Sequence, residues 1–494
     1  MTKVEIALTP SGKKLAVEIG SRLRTALAPC DVEFACDGQS ECGSCRVQVL
    51  EGVLPVTPQD VDVFRPDELA AGWRLACQAV ATGQLQLRCG QPGVEILGDR
   101  ADGKSSNKSG YGVAVDLGST TIVAQLLELS TGRLVAERSA LNPQAAWGTD
   151  VMTRIRYAVS GTDLTDLIRH FLGKMIIDLS GSHRDQVNEI VLAGNTVMHH
   201  LFCGLNVEPL SHVPFSSEAL GEYRFSPRQL NWPLCDGCAV RFLPCIGGFV
   251  GSDVMSGIRA VGMDQTRDLI ALIDLGTNGQ IAIGNRDRII CASTAAGSAF
   301  EAGSIKMGMR ASNGAISRVL KEGSSLRCKV IGGGAARGIC GSGLVDAVAA
   351  ILDLGLVDIG GRLSGGRKSI ELQGEVELFQ ADIRELQLAK AAIAAGVRLL
   401  LKHYGVSMDS LQRVYLAGAF GNYISPTSGS RIGLLEMPVE RIFPAGNTAL
   451  RGTKIELATG SLHESGCTEH FNLASDPDFQ DTFVTCMAFP SNAA

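Results

Sequence analysis

Four cysteines carry the plainest chemistry in this chain. Cys36, Cys42 and Cys45 fall within VEFACDGQSECGSCRVQVL and Cys77 within WRLACQAVATGQLQL, a spacing of C-x5-C-x2-C-x31-C. Three thiolates from one loop and a fourth from a distant segment can hold two irons and two bridging sulfides, a [2Fe-2S] cluster. Gly38 and Gly43 let the loop wrap closely, so that backbone N–H groups can point at sulfur, stabilise its negative charge and tune the potential. Four thiolates also suit tetrahedral zinc. The cluster is favoured because the three-cysteine loop lies inside a strand–loop–strand pattern that is followed by the distant WRLACQ. Cys30 and Cys89 fall outside the spacing and read as buried thiols.

A second chemistry is written twice. YGVAVDLGSTTIVAQL is an apolar strand ending at Asp116, a turn with Gly118, Ser119, Thr120 and Thr121, and a second strand; DLIALIDLGTNGQIAIG repeats the design with Asp274, Gly276, Thr277 and Asn278. A strand-end carboxylate beside Gly-Ser/Thr can bind Mg²⁺ directly or through water, while the turn offers N–H and hydroxyl groups to the phosphates of ATP. A further echo pairs EIVLAGNTVMHHLFCG with RVYLAGAFGNYISP, whose Gly418 and Gly421 would leave room for the adenine or ribose. One such turn alone is as well read as an ordinary β-turn. The ordered pairs instead imply two related half-domains whose loops face one cleft.

The elements that must position these groups divide the chain. Residues 1–95 hold the cysteines, residues 96–110 include the polar DRADGKSSNKSG and read as a flexible linker, and residues 111–494 hold the paired loops. Within the last part, 111–270 is expected as a first lobe, 271–460 as a second, and 461–494 as an acidic C-terminal segment packed on the core through Phe479, Phe483, Val484 and Met487. At 494 residues, 45% apolar, with 58 Gly and 17 Pro, several compact domains are required. Lys and Arg total 45 against 51 Asp and Glu with no basic run, which argues against nucleic acid as partner. The most apolar helical stretch, AAIAAGVRLLLKHYG, is interrupted by Arg398 and Lys402, too soon for a membrane span. MTKVEIALTPSG lacks the apolar core of a signal peptide, so the chain is expected in the cytoplasm, where its 15 cysteines are metal ligands or buried thiols.

Several residues have two readings. Asp150 and Asn195 either face the cleft or cap the helices that follow them. The adjacent His199 and His200 point in different directions on a helix and are read as packing or partner contacts. Cys235, Cys238 and Cys245 in CDGCAVRFLPC read as loose thiols, with a second metal site as the alternative. LPCIGGFVGSD, ending at Asp253, reads as a Gly-rich junction where a lobe meets its ligand.

The cysteine loop resembles the adrenodoxin-like ferredoxins in having five residues in its first gap, where the plant type has four. The DLGSTT and DLGTNG turns and the late LAGAFG resemble the superfamily of acetate kinase, sugar kinases, Hsp70 and actin. More specifically, NPQAAWGTDVMTRI, LAGNTVMHHLFCG, GICGSGLVDAVAAILDLGLVD and DIRELQLAKAAI resemble the reductive activators of corrinoid-dependent methyltransferases. The fold expected is an α/β and α+β multidomain chain: an N-terminal β-grasp ferredoxin-like domain, then a two-lobed actin-like ATPase fold with duplicated half-domains.

The resemblance implies an ATP-hydrolysing activator that passes one electron from its cluster to a corrinoid, reducing inactive Co(II) to Co(I). It implies a corrinoid protein as partner, an upstream low-potential electron donor and a homodimer; Asp116 and Asp274 are read from their own sequence as the residues for metal or water positioning. This chain has no corrinoid-binding DxHxxG signature, so the cobalamin belongs to the partner. Relatives often carry a further domain between linker and ATPase; here Tyr111 follows the linker at once, so that domain is expected to be missing or greatly shortened. A redox-regulated small-molecule kinase using the same cleft is the rival reading. A scaffold with a decayed nucleotide site is disfavoured by the intact loops.

Overall fold

Alternation in KVEIALT turns Ile6 and Leu8 inward, and both are fully buried in the N-terminal sheet of the computed structural model. The structure describes residues 3–9, 14–27, 32, 45–64, 66–88, 103–148, 150–276, 278–460 and 468–491. That first sheet has five strands in the order Lys14–Glu18, Lys3–Thr9, Leu85–Arg88, Arg46–Glu51 and Trp73–Leu75. Lys3–Thr9 and Leu85–Arg88 run parallel at its centre, and the short helix Leu23–Leu27 packs its two leucines into the same core. This is the β-grasp expected for the cluster domain.

The rest is built on two six-stranded sheets of matching topology. In the first, Tyr111–Leu117 pairs antiparallel with Thr121–Glu128, which pairs with Leu134–Leu141, while Val187–Ala193 lies parallel on the other side, beyond it Ala239–Phe242, and Tyr223–Phe225 closes that edge. In the second, Ile270–Leu275 pairs with Gly279–Gly284 and that strand with Ile289–Thr294, while Arg413–Ala417 lies parallel, followed by Ile442–Gly446. The registers correspond as well: Asp116 stands opposite Ala193 of LAGN, and Asp274 opposite Ala417 of LAGA. The duplication read from the sequence is therefore a duplication of structure. The second sheet gains Thr468–His470 at one edge, and its lobe gains a three-stranded sheet and the hairpin Ser369–Gln373/Val376–Phe379.

Two helices cross between the lobes. Ser252–Ala260, from the first half, buries Val254 and Ile258 against the second sheet; Thr448–Thr459, from the second half, buries Leu450 and Leu457 against the first. They approach so closely that a Cβ on Gly452 would stand 1.9 Å from Ser256 O, and one on Gly257 3.1 Å from Thr448 Oγ1. Glycine is what permits that crossing.

Residues 103–110 are strapped to the first lobe. Gly103 N–H donates to Gly132 O (2.7 Å), Ser106 N–H to Leu129 O (3.1 Å), and Lys108 Nζ bridges Glu189 (2.7 Å) and Leu457 O (2.9 Å). The expectation of a flexible linker over 96–110 is corrected for this half; residues 96–102 lie outside the described residues. The helix Phe479–Met487 docks on the long helix Gln380–Tyr404 through Phe479, Phe483, Cys486 and Met487. Val484, expected in that face, is 58% exposed, because Cys486 is the residue whose helical position meets Ala391 and Ala395. Among the described residues no helix is long and apolar enough to cross a membrane.

Candidate functional site

Between the lobes three carboxyls face one another at the ends of apolar elements that carry them inward. Asp116 ends its strand and accepts a hydrogen bond from Asn447 Nδ2 at 2.8 Å. Asp274 ends the equivalent strand of the second lobe, and Asp253 lies in the first turn of the crossing helix, hydrogen-bonded by Gln280. Burial pushes Asp116 and Asp274 up to about 7 and Asp253 to about 6, and the mutual repulsion of Asp253 with the other two raises those further. Among the described residues no three His, Cys, Asp or Glu side chains are close enough to hold a bare metal ion. Water and phosphate oxygens would fill the remaining space, which is how Mg²⁺ is usually held.

The predicted loops surround these carboxyls. A Cβ on Gly118 would stand 2.5 Å from Thr121 O, so the first turn closes only with glycine, whereas Gly276 opens on free space with nothing nearer than 3.7 Å. Ser119, Thr120 and Thr121 are half-buried, and the carbonyls of the first two are held from below. Arg154, fully buried, donates to Ser119 O (2.5 Å) and Gly148 O (2.8 Å), and Asn142 N–H donates to Thr120 O (2.9 Å). Asn278 is half-buried beside the second turn; Thr277 lies outside the described residues. Arg154 also feels the charge of Glu301, which approaches the Gly276 turn from the second lobe.

Gly418 and Gly421 part company. Gly418, at φ +78°, brings the backbone to Asp274, where a Cβ would stand 2.4 Å from its Oδ1. It therefore packs directly against the Asp274 carboxyl. Gly421 turns toward Leu416 of the preceding strand, so its missing side chain serves helix–strand packing. Phe420 between them stacks on Phe300 at 4.7 Å.

The ambiguous residues resolve toward structure. Asp150 caps the helix Val151–Val159 by accepting from Thr153 N–H (2.8 Å), and Asn195 caps Thr196–Cys203 through Met198 N–H (3.0 Å). His199 and His200 are fully buried and bond Gly221 O (3.1 Å) and Ser217 Oγ (2.7 Å); burial holds His199 down at about 4, a neutral packing group. Cys235 Sγ lies 3.3 Å from Val187 O, and burial pushes the thiols of Cys238 and Cys245 up to about 12.

Three members of the cleft were missed in the sequence. Asp253 ended a segment already singled out, but nothing in GSD distinguishes a cleft carboxylate from a helix-start acid. Asn447 had a usable signal: AGNT occurs at Ala193 and again at Ala445, and each Asn begins a helix. Arg154 has no local signal, since only the fold puts it under Ser119.

In the cluster domain Cys45 and Cys77 are both buried, and Ala76 N–H donates to Cys45 O at 2.9 Å, which zips the loop cysteine beside the distant one. Two thiols brought together from segments 32 residues apart fit the donor set of an iron–sulfur cluster. Cys36 and Cys42 lie outside the described residues.

Comparison with known proteins follows the same division. Residues 6–82 match the family model for the 2Fe-2S iron–sulfur cluster binding domain, residues 111–266 that for the RACo middle region, and residues 268–494 that for the C-terminal domain of RACo, the ASKHA domain. The chain is 35% identical over 431 residues to the corrinoid activation enzyme RamQ of Eubacterium limosum, covering 77% of this chain and 71% of that protein. It is 27% identical over 377 residues to the Co(II) methylated amine-specific corrinoid protein reductase of Methanosarcina barkeri, covering 69% and 68%. The solved structure of a reductive activator for corrinoid, iron–sulfur protein shares the fold, with a TM-score of 0.68 at 24% identity over 99% of this chain and 98% of that one. Residues 111–266, read as the first lobe, are the part that matches the middle region.

Proposed function

The chain belongs to the RACo-type reductive activators of corrinoid proteins, and from that premise we propose that it uses ATP to pass one electron from its [2Fe-2S] cluster to the inactive Co(II) corrinoid of a partner protein, returning the cobalt to Co(I) for methyl transfer. The observation that carries this reading is the presence, in one chain, of a cluster domain and of a cleft with three facing carboxyls, each raised above the ordinary carboxylate range by desolvation, and two of them further by their neighbours' charge. The cluster, when bound, supplies electrons singly.

Cys36, Cys42, Cys45 and Cys77 hold that cluster. Asp116, Asp253 and Asp274 would hold Mg²⁺ through water and the phosphates and position the water for attack; Gly118, Ser119, Thr120, Thr121, Gly276, Thr277 and Asn278 would offer donors to the phosphates. Asn447 fixes the Asp116 carboxyl, and Arg154 and Asn142 hold the carbonyls of the first turn in place. Reduction of Co(II) is uphill for an ordinary ferredoxin. Nucleotide binding and hydrolysis must therefore favour the state of the complex in which reduction is easier, which is differential stabilisation of conformations. A one-electron carrier must be reloaded, so the reading includes an upstream low-potential donor, and it takes the chain as a homodimer.

The partner's cobalt spectrum tests this, followed over time with chemically reduced activator, with and without MgATP. Co(I) should form with MgATP, fail with Cys42→Ser while nucleotide still binds, and fail with Asp274→Ala while the cluster spectrum is kept. Equal Co(I) formation without ATP, or phosphorylation of a small acceptor in the absence of any corrinoid protein, would overturn it.

A further inference from the structure

The cluster domain touches both nucleotide lobes; the first contact lies a few residues from a phosphate turn, and the second joins the other side of the cleft through packing. On the first lobe, Arg24 donates to Ala146 O from Nε (3.1 Å) and from Nη2, and Ala146 packs into the cluster domain's core with Trp147 beside it. Four residues before Ala146, Asn142 donates to Gly118 O from Nδ2 (2.9 Å) and to Thr120 O from its backbone (2.9 Å). The span between is a single 3₁₀ turn, Pro143–Trp147, started by a proline and capped by Asn142 itself (2.9 Å to Gln144 N), so it has little room to stretch. On the second lobe, Arg337 Nη2 lies 3.2 Å from Glu68 Oε1 of the cluster domain. Four residues later a Cβ on Gly341 would stand 1.8 Å from Phe300 O, and the Phe300 ring stacks on Phe420 of LAGAFG.

A rigid domain anchored to two bodies reports their relative position. If bound nucleotide rotates the lobes about the crossing helices, the distance from Ala146 to Arg337 changes, and the two anchors cannot both keep their geometry. The first anchor reaches the cleft through hydrogen-bonded backbone, and the second through the close approach of Gly341 to Phe300 O and the stack of Phe300 on Phe420. We propose that Arg24, on the arm Asn142–Trp147, and the Glu68–Arg337 pair, on the arm 337–341, are positioning residues that make docking of the cluster domain depend on the nucleotide state of the cleft. This rests on the reading of that cleft as a MgATP site. It adds a specific consequence: the electron carrier is held or released by the same lobe movement that nucleotide drives, and the anchors act without touching nucleotide, cluster or corrinoid.

The test is hydrogen exchange on the full-length protein with its cluster, saturated either with MgADP or with a non-hydrolysable MgATP analogue. Exchange of residues 22–27 and 66–70 should differ by about threefold or more between the two states, a modest population shift. In Arg24→Ala/Arg337→Ala both nucleotides should still bind and the cluster absorbance should persist, but the difference should vanish. By reciprocity the ratio of the two nucleotides' Kd should shift in the same variant, by up to that factor. Lys14→Ala, which removes an exposed pair on the same domain, should keep the difference. Equal exchange in both states of the wild-type protein, or a difference that survives in the double variant, overturns the coupling alone. Failure of the wild-type protein to bind either nucleotide in calorimetry overturns the coupling together with the reading of the cleft.

Discussion

At the scale of single residues, the cleft is defined by charge that the fold has made expensive. Asp116, Asp253 and Asp274 hold protons in the folded chain up to pH about 6 to 7, whereas the unfolded chain releases them near pH 4. The folded state thus binds more protons than the unfolded one between those values, so stability falls as pH rises through that window and levels off above it. Without nucleotide, the melting temperature of the two lobes should drop by a few degrees between pH 5 and pH 8. Asp253→Asn should flatten that slope by removing one titrating member, and MgATP should oppose it by supplying the missing cation. Scanning calorimetry decides: a slope as steep in Asp253→Asn as in the wild-type chain would show that Asp253 does not share the site. The two strand-end aspartates were legible because each follows an apolar run and precedes Gly-Ser/Thr. Asp253 was not, because an acid at a helix start looks the same whether or not it faces a cleft; Asn447 could have been found from the repeated AGNT, though its partner Asp116 is far away in sequence.

At the scale of elements, the C-terminal segment shows how a pattern can give the element but not its facing. The aromatic spacing predicts a docked helix, and Phe479–Met487 is one. The tail beyond it goes deeper: Phe489 is 2% exposed, the Lys390 ammonium lies 5.4 Å from its ring, and Lys390 Nζ donates to Ala488 O at 2.5 Å. Desolvation lowers Lys390 to about 8, so those contacts are what keeps a buried ammonium tolerable. Phe489→Ala should cost about 3 kcal/mol or more of stability in urea unfolding, as for other buried aromatic truncations. Val484→Ala, on the exposed side, should stay within about 0.5 kcal/mol. Comparable losses for the two would mean that the segment is not seated as described. The helix's period was visible in the sequence; that Cys486 and not Val484 faces inward depended on the surface offered by Ala391 and Ala395.

At the scale of the whole molecule, the boundary between electron carrier and nucleotide lobes lies ahead of Gly103. A chain beginning at Gly103 keeps the bonds to Gly132 and Leu129 and the Lys108 bridge to Glu189 and Leu457 O. One beginning at Tyr111 loses them all and leaves Glu189 without that lysine. The first should be soluble and bind MgATP with an affinity close to that of the full chain; the second should melt several degrees lower, in line with the loss of about 1–2 kcal/mol from a partly buried, charge-assisted bridge. Equal melting of the two, followed by thermal unfolding, would mean that residues 103–110 contribute nothing to the lobes.

The sequence by itself determined the parts list: four cysteines at cluster spacing, two carboxylate–glycine turns, two LAG strands, and hence a ferredoxin-like domain ahead of a duplicated ATPase. These are readable because each is local, a strand period and a turn whose residues answer to their own backbone. Tertiary structure decided which groups share the cleft. Asp253 reaches it because Gly452 and Gly257 let two helices cross, Gly418 serves Asp274 because its strand pairs in register with Ile270–Leu275, and Arg24 and Glu68 straddle the lobes because the cluster domain sits across them. Contacts of that kind join residues far apart in sequence, and their geometry is set by how the elements pack, which no local pattern records.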